Sequence, residues 1–581
     1  MLYPIENKFR SLRNLDGYWR FCADRENTGE EKGFKDKLCG DVRTFGVPAS
    51  WNEQANDLYT FTGRGWYQKD AFIPCEWQGR AVYLRFGSVA GTATVFVNGK
   101  EAFSHTGTAL PFESDISEYL RFGEENRITV IADNTLDPFS LPPASEQAGE
   151  GHAGFIDSYP AVPYDFFPYG GIQRSVWLYA TSKNRIEDIF ITTDVSGDTA
   201  TVGYKIKFKA AFSGDVRIET NGDTVTVSAD NTDSISGEFK VDNPRLWDIG
   251  KPELYELSVK CDFDEYRESY GIRTDKVEGD RFLLNGKPVF FKGFGKHEDF
   301  FVLGKGFNAA LWAKDFYLLD WIGANSFRTS HYPYDENIYD YADRHGILII
   351  DETPFVSLGK RCYTDETLLR AQGVIEELYN RDKNHPSVVM WSLANEPIQT
   401  NLPEGDKFFK GISDKMRSLD GTRPITYAAF LEPEVQTACK YFDVVCINVY
   451  VGWYWDPGRV ADRDGMFADY VKGYYEAYKK PIIMTEFGAD ALPGMHNDPP
   501  LMFTEEYQRE MLTRQYKILR QTPYVIGAHI WAFADFRTAQ TTGRVVNNHK
   551  GVFTRDRQPK LSAHAIKELW EKENDYNSKR F

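Results

Sequence analysis

Apolar and polar positions along this chain follow two rhythms. Up to about residue 180, short runs alternate apolar and polar residues with the two-residue period of a half-buried strand. Ala81-Val-Tyr-Leu-Arg-Phe86, Thr92-Ala-Thr-Val-Phe-Val97 and Asn126-Arg-Ile-Thr-Val-Ile-Ala132 are examples. The second run ends in Asn98-Gly99, a pair that tolerates the positive φ of a tight hairpin turn. No segment of helical length and period intervenes, so residues 1–182 are expected to form a β jelly roll. A Gly- and Pro-rich stretch from Leu136 to Gly171 interrupts it. A loop of that length in a compact domain is either functional or disordered. Strand patterns continue over residues 183–275, in Ile186-Glu-Asp-Ile-Phe-Ile191, Ala200-Thr-Val-Gly-Tyr-Lys-Ile206 and Glu253-Leu-Tyr-Glu-Leu-Ser-Val259. That is the size of an immunoglobulin-like sandwich.

From residue 276 the rhythm changes. Short apolar runs now alternate with segments of helical period, such as Leu311 to Ile322, Ile338 to His345, Phe408 to Leu419, Tyr507 to Leu519 and a last one at Ala563 to Lys572. The runs begin at Val289, Ser326, Ile347, Val388, Ile425, Val444, Ile482 and Ile526. Eight strands alternating with helices predict a (β/α)8 TIM barrel over residues 276–581. Reactive groups are then expected where each run ends, at the C-terminal rim.

Composition narrows the function. Lys and Arg number 68 against 85 Asp and Glu, a net charge of −17. Such a chain is a poor partner for nucleic acid or an anionic membrane. An anionic substrate would need positive charge concentrated at its site. Aromatic residues reach 15%, which serves larger cores or stacking on sugar rings equally well. Seven Cys lie scattered without a CxxC pair or a Cys/His cluster at metal spacing, so neither a full disulfide framework nor a metal is expected. The start, Met1-Leu-Tyr-Pro-Ile-Glu-Asn-Lys8, has no apolar core of a signal peptide. No apolar run approaches the ~18 residues that suggest a membrane span. A cytoplasmic protein is the expectation.

Two glutamates carry the chemistry. The fourth barrel run leads into Ala394-Asn395-Glu396-Pro397 and the seventh into Thr485-Glu486-Phe487-Gly488. Glutamates ending the fourth and seventh strands can face each other across the barrel mouth. Cleaving an acetal needs a proton on the leaving oxygen and an anion at the oxocarbenium-like centre. Two carboxyls about 5–5.5 Å apart do both with retention of configuration. Their environments must push the two pKa values apart. Two other signals are set aside. Gly293-Phe-Gly295 is too short for a nucleotide fingerprint, and the adjacent side chains of His297, Glu298 and Asp299 diverge on an extended segment rather than converge on a metal.

The stretches Asn325-Ser-Phe-Arg-Thr-Ser-His-Tyr-Pro333 and Asp382-Lys-Asn-His-Pro-Ser-Val-Val-Met-Trp-Ser-Leu-Ala-Asn-Glu396 closely resemble the two signatures of glycoside hydrolase family 2. The order jelly roll, sandwich, barrel matches as well, so the resemblance covers nearly the whole chain. It implies Glu396 as acid/base, Glu486 as nucleophile and Asn395 as a contact to the sugar 2-hydroxyl. The segment Arg544-Val-Val-Asn-Asn-His-Lys-Gly-Val-Phe-Thr-Arg-Asp-Arg-Gln-Pro-Lys560 is similar to that of members cleaving β-D-glucuronides, with Asn548-His549-Lys550 as the Asn-x-Lys element. An ammonium and an amide N–H suit the C6 carboxylate that separates a uronic acid from a neutral hexose, and Arg544 could add a donor. The resemblance also implies substrate contacts from Tyr450, Tyr454, His331, Trp531 and Asp165, the last reaching in from the long jelly-roll loop. Where the family usually has Arg before the first tyrosine, this chain has Val449.

The expected activity is therefore exo-acting, retaining hydrolysis of β-D-glucuronides. The rivals are a related β-galacturonidase or β-galactosidase, and a silent carbohydrate-binding protein, which the presence of both glutamates opposes. No cofactor is expected. Expected partners are small-molecule glucuronides and glucuronate-terminated glycans, without nucleic acid or membrane, and relatives imply a homo-oligomer. After the third run, Pro354-Phe-Val-Ser-Leu-Gly-Lys-Arg-Cys-Tyr-Thr-Asp365 makes a short connection where some gut bacterial relatives insert a longer, lid-like loop.

Overall fold

The computed structural model describes residues 1–144 and 158–578. Residues 145–157 of the long Gly- and Pro-rich stretch lie outside the described residues.

The alternating N-terminal runs form two antiparallel sheets. One has six strands in the order Arg43–Val47, Gly17–Asp24, Arg64–Ile73, Glu124–Asp133, Thr92–Val97, Lys100–Thr106. The other has four, in the order Ser11–Asn14, Val176–Thr181, Ala81–Phe86, Phe112–Asp115. Inward residues of both, including Trp19, Phe21, Val82, Leu84, Val95, Val130 and Leu178, share one core. Every residue of Ala81–Phe86 is buried, because its outer face is covered as well. On that face Arg85 reaches the barrel and meets Glu336 at 2.7 Å.

The middle segment is built on one long hairpin, Thr199–Thr220 with Asp223–Asp242. Its register breaks between Lys207 and Gly214. Ile186–Ser196 pairs with one end of Thr199–Thr220, and Tyr255–Lys260 with the other. One hairpin thus feeds both layers, which enclose Ile189, Val202, Val216 and Leu257.

The barrel closes with eight parallel strands. They are β1 (Phe291–Gly295), β2 (Ser326–Arg328), β3 (Leu348–Glu352), β4 (Val388–Asn395), β5 (Ile425–Ala429), β6 (Val445–Asn448), β7 (Ile482–Glu486) and β8 (Val525–Trp531). Each falls on one of the eight apolar runs, as near-continuous burial of a parallel sheet requires. Helices α1 (Ala309–Ile322), α2 (Glu336–His345), α3 (Asp365–Asp382), α4 (Pro403–Leu419), α5 (Asp464–Tyr478), α6 (Glu505–Gln521) and α7 (Leu561–Ser578) cover the outside. Between β5 and β6 the chain makes only a short 3₁₀ turn, Thr437–Tyr441, in place of a helix.

Candidate active site

Strand ends at the C-terminal rim supply a cavity of about 430 Å³. Glu396, Glu486, Asn395, His331, Tyr450, Tyr454, Trp531 and Asp165 line it together. Glu486 is the last residue of β7, and Glu396 follows directly on β4. Glu396 adopts a left-handed φ of 48°. Its N–H donates to the Ala428 carbonyl at 2.8 Å, which ties the turn to β5.

The two carboxyls meet different neighbours. Asn448, ending β6, donates from Nδ2 to Glu396 Oε1 at 2.9 Å and to Asn395 Oδ1 at 3.2 Å. No guanidinium or ammonium is bonded to Glu396 among the described residues. Burial, then the charge of Glu486, pushes its pKa up to about 8. Glu486 instead accepts from the Arg328 guanidinium and from the Tyr450 hydroxyl at 2.6 Å. Burial raises its pKa too, but Arg328 and Tyr450 pull against that rise. One carboxyl is therefore biased toward holding a proton and the other is supported as an anion.

Arg328 ends β2 and is fully buried. Its Nη1 also donates to both oxygens of Glu352, the last residue of β3, at 2.7 Å each. Ser392 donates to Glu352 from β4 at 2.7 Å. His331 Nδ1 lies 2.8 Å from Glu352 and its Nε2 lies 3.7 Å from Glu486. Burial, with Arg328 and then Lys305 nearby, holds the imidazole pKa well below its usual value, so the ring is neutral. Arg328 Nη1 lies 3.1 Å from the same Nδ1. Trp531 ends β8 and stacks on His331, with ring centroids 5.0 Å apart.

A second polar group gathers at the other side of the cavity. Asp165, half-buried, comes from the jelly-roll loop and accepts from Arg544 Nε at 3.0 Å and from Asn548 Nδ2 at 2.7 Å. Arg544 also donates to the Tyr454 hydroxyl. Lys550 is fully buried and donates to Tyr454 Oη at 2.9 Å and to Asp490 Oδ2 at 2.7 Å. Arg544, Asn548 and Lys550 thus stand behind Asp165 and Tyr454 rather than in the cavity wall.

Eleven residues were expected at the site; eight of these line the cavity and three back it. Sequence reasoning missed Arg328, Glu352, Asn448 and Asp490. Arg328, Glu352 and Asn448 end barrel strands, so the rule that placed the two glutamates would have found them. Asp490 sits four residues beyond β7 and carried no signal. His297, Glu298 and Asp299 turn to separate partners, Tyr332, Arg174 and Arg555.

Comparison with known proteins places this geometry in context. Residues 276–574 match the profile "Glycosyl hydrolases family 2, TIM barrel domain", residues 12–182 the family's sugar binding domain, and residues 184–273 its third profile. The chain is 43% identical over 603 residues to a β-glucuronidase of Paenibacillus borealis, covering 100% of both chains. Among solved structures, a β-glucuronidase of an uncultured Clostridium sp. has 40% identity and a TM-score of 0.91, covering 98% of this chain and 100% of that one. The β-glucuronidase from Ruminococcus gnavus in complex with uronic isofagomine has 36% identity and a TM-score of 0.90, covering 98% and 99%.

Proposed function

The chain belongs to glycosyl hydrolase family 2, and from that premise we propose that it is an exo-acting, retaining β-D-glucuronidase. The observation that carries this reading is the contrast between two carboxyls on one cavity. Glu396 is pushed toward its protonated form, while Glu486 is held by a guanidinium and a phenol.

In the first step Glu396 gives its proton to the glycosidic oxygen as the bond to the anomeric carbon breaks. Glu486 attacks that carbon from the opposite face and forms a glycosyl ester. The aglycone leaves as an alcohol. In the second step Glu396, now a carboxylate, takes a proton from water, whose oxygen displaces Glu486. Two inversions give net retention and restore both groups. Arg328 and Tyr450 stabilise Glu486 while it is an anion and as a leaving group. Asn395 contacts the 2-hydroxyl, and neutral His331 with Trp531 shapes the sugar subsite.

Tyr454, with Arg544, Asn548 and Lys550 behind it, forms the end that receives the C6 carboxylate, and Asp165, itself an anion, holds Arg544 and Asn548 in place there. Two cations at one end of an otherwise acidic chain are what a uronic acid needs. A neutral galactoside would leave them without a substrate partner. We further propose glucuronate-terminated glycans among the substrates, a homo-oligomeric assembly and a cytoplasmic location. The last is supported by seven unpaired cysteines. Among the described residues no helix is long and apolar enough to cross a membrane. The deciding assay compares p-nitrophenyl β-glucuronide, β-galacturonide and β-galactoside. Preferred turnover of the glucuronide is expected; a preference for either other substrate defeats the assignment.

A further inference from the structure

The uronate-side cations do not stand alone. Asp490 is 3% exposed and lies four residues past Glu486, on the segment leaving β7. Its Oδ1 accepts the His549 N–H at 2.6 Å and its Oδ2 accepts Lys550 Nζ at 2.7 Å. Arg544 Nη1 approaches the same Oδ2 at 3.6 Å. One carboxylate thus fixes both the backbone and the charge of the 544–550 segment to the strand that carries Glu486.

Lys550 has three N–H donors. One goes to Asp490 and one to Tyr454 Oη. The third has no acceptor among the described residues. The rings of Tyr454, Trp453 and Tyr450 surround the ammonium at 4.7, 5.1 and 5.6 Å. Among the described residues the other charged or titratable groups around it are Arg544 on its own segment, Asp165 through Asn548, and His549, which pairs with Asp535 at 3.0 Å. Asp490 is the carboxylate that touches Lys550 among these groups.

We propose that Asp490 is the positioning residue for uronate selectivity: it keeps the buried Lys550 ammonium charged and aimed past Tyr454 at the substrate carboxylate. This rests on the reading of the site as a glucuronidase. The physical reason is desolvation. An ammonium buried without a counter-charge is expensive and sheds its proton. Asp490 prevents this, and its own titration is consistent with the role. Burial opposes its ionisation, yet Lys550 and then Arg544 hold its pKa down to about 2.

The test uses the full-length protein and two competitive iminosugars, one with a C6 carboxylate and one with a C6 hydroxymethyl. Both meet Glu396 and Glu486 alike, so the ratio of their inhibition constants cancels the titration of those groups. In Asp490→Asn the single amide oxygen can accept from Lys550 or from the His549 N–H, and the charge is gone. The carboxylate probe should lose about tenfold in affinity at pH 8, the loss expected if removing the counter-charge brings the lysine pKa about one unit below the assay pH. It should recover as the pH falls to 6, where the lysine regains its proton. The neutral probe should change far less. Asp490→Glu keeps the charge, so its selectivity should be nearly pH-independent even if affinity drops. That variant carries the test should Asp490→Asn fail to fold. An unchanged ratio in Asp490→Asn, or equal loss of both probes with the melting temperature retained, overturns the proposal. Wild-type protein that does not prefer the carboxylate probe sinks the glucuronidase reading, and this one with it.

Discussion

At the scale of single residues, the proposed chemistry rests on two glutamates whose surroundings differ by one guanidinium and one hydroxyl. Without Arg328 and Tyr450, Glu486 would be another buried carboxyl that prefers to stay neutral. With them it can act as an anion beside a protonated Glu396. Replacing Glu396 by Ala is expected to lower kcat/KM by about 10²–10⁴, the usual range for a general acid–base group. Glu486→Ala should lose more, because no glycosyl ester can form. Azide should then occupy the vacated space and yield the α-glycosyl azide, with inverted configuration. Near wild-type turnover in either variant, with the fold intact by circular dichroism, would remove that residue from the mechanism. The same pair sets the pH profile. Glu396 must carry its proton in the first step, so activity should persist below its pKa and be lost as the pH rises through about 8. Glu486 must be ionised, so activity should fall on the acid side as it takes up a proton. In Glu396→Gln the alkaline limb should vanish from the residual kcat/KM; its persistence would assign that limb to another group.

At the scale of elements, much was legible because a parallel barrel buries both faces of each strand. Apolar runs such as Ile347-Leu-Ile-Ile and Val388-Val-Met-Trp therefore mark strands directly, and their ends mark the rim. The rule stops at the last strand residue. It reaches Arg328, Glu352 and Asn448 but says nothing of Asp490, whose partners come from a distant segment. The 3₁₀ turn before β6 was equally hidden, since five residues carry no helical period. In the middle sandwich, the run Ala200 to Ile206 covers only part of a strand that continues to Thr220, because the alternation breaks over Lys209-Ala-Ala-Phe-Ser-Gly-Asp215. Close strand approach was also unreadable. A Cβ on Gly293 of β1 would collide with the backbone carbonyl of Ser326 on β2. Backbone cannot rotate away as a side chain can, so Gly293→Ala should cost about 2–3 kcal/mol of stability. Thermal unfolding measures this; an unchanged melting temperature would mean that β1 and β2 can separate at no cost.

At the scale of the whole molecule, the site belongs to more than the barrel. Asp165 arrives from the jelly roll, and Arg85 of the same region is buried against Glu336 of α2. The cavity also has a direction. Glu396, the proposed acid, lies between the segments that follow β3 and β5, so the proposed mechanism puts the leaving group beside Val356, Ser357, Phe430 and Leu431. Tyr454, backed by Lys550, marks the proposed carboxylate end of the sugar. On the proposed leaving-group side, the connection from β3 to α3 is short, residues 353–364. Phe355, Val356 and Leu358 are buried, and Cys362 is buried with its Sγ 3.7 Å from the Pro138 carbonyl of the jelly-roll loop. Among the described residues of this connection nothing forms a lid over a small aglycone. Contacts remote from the scissile bond lower the barrier only when the substrate reaches them. Among the described residues a small aryl group meets Val356, Ser357, Phe430 and Leu431 alone, whereas an oligosaccharide can extend beyond them. The expected outcome is modest kcat/KM on a small aryl glucuronide and relatively good kcat/KM on a glucuronate-capped oligosaccharide. A relative with a long loop after its third strand serves as the control, and grafting that loop between Glu352 and Asp365 should move this enzyme toward the small substrate. If the unmodified enzyme favours the small aryl glucuronide as strongly as the long-loop relative does, aglycone preference is set by the apolar wall and not by the missing lid, and the assignment of Glu396 and Glu486 is untouched.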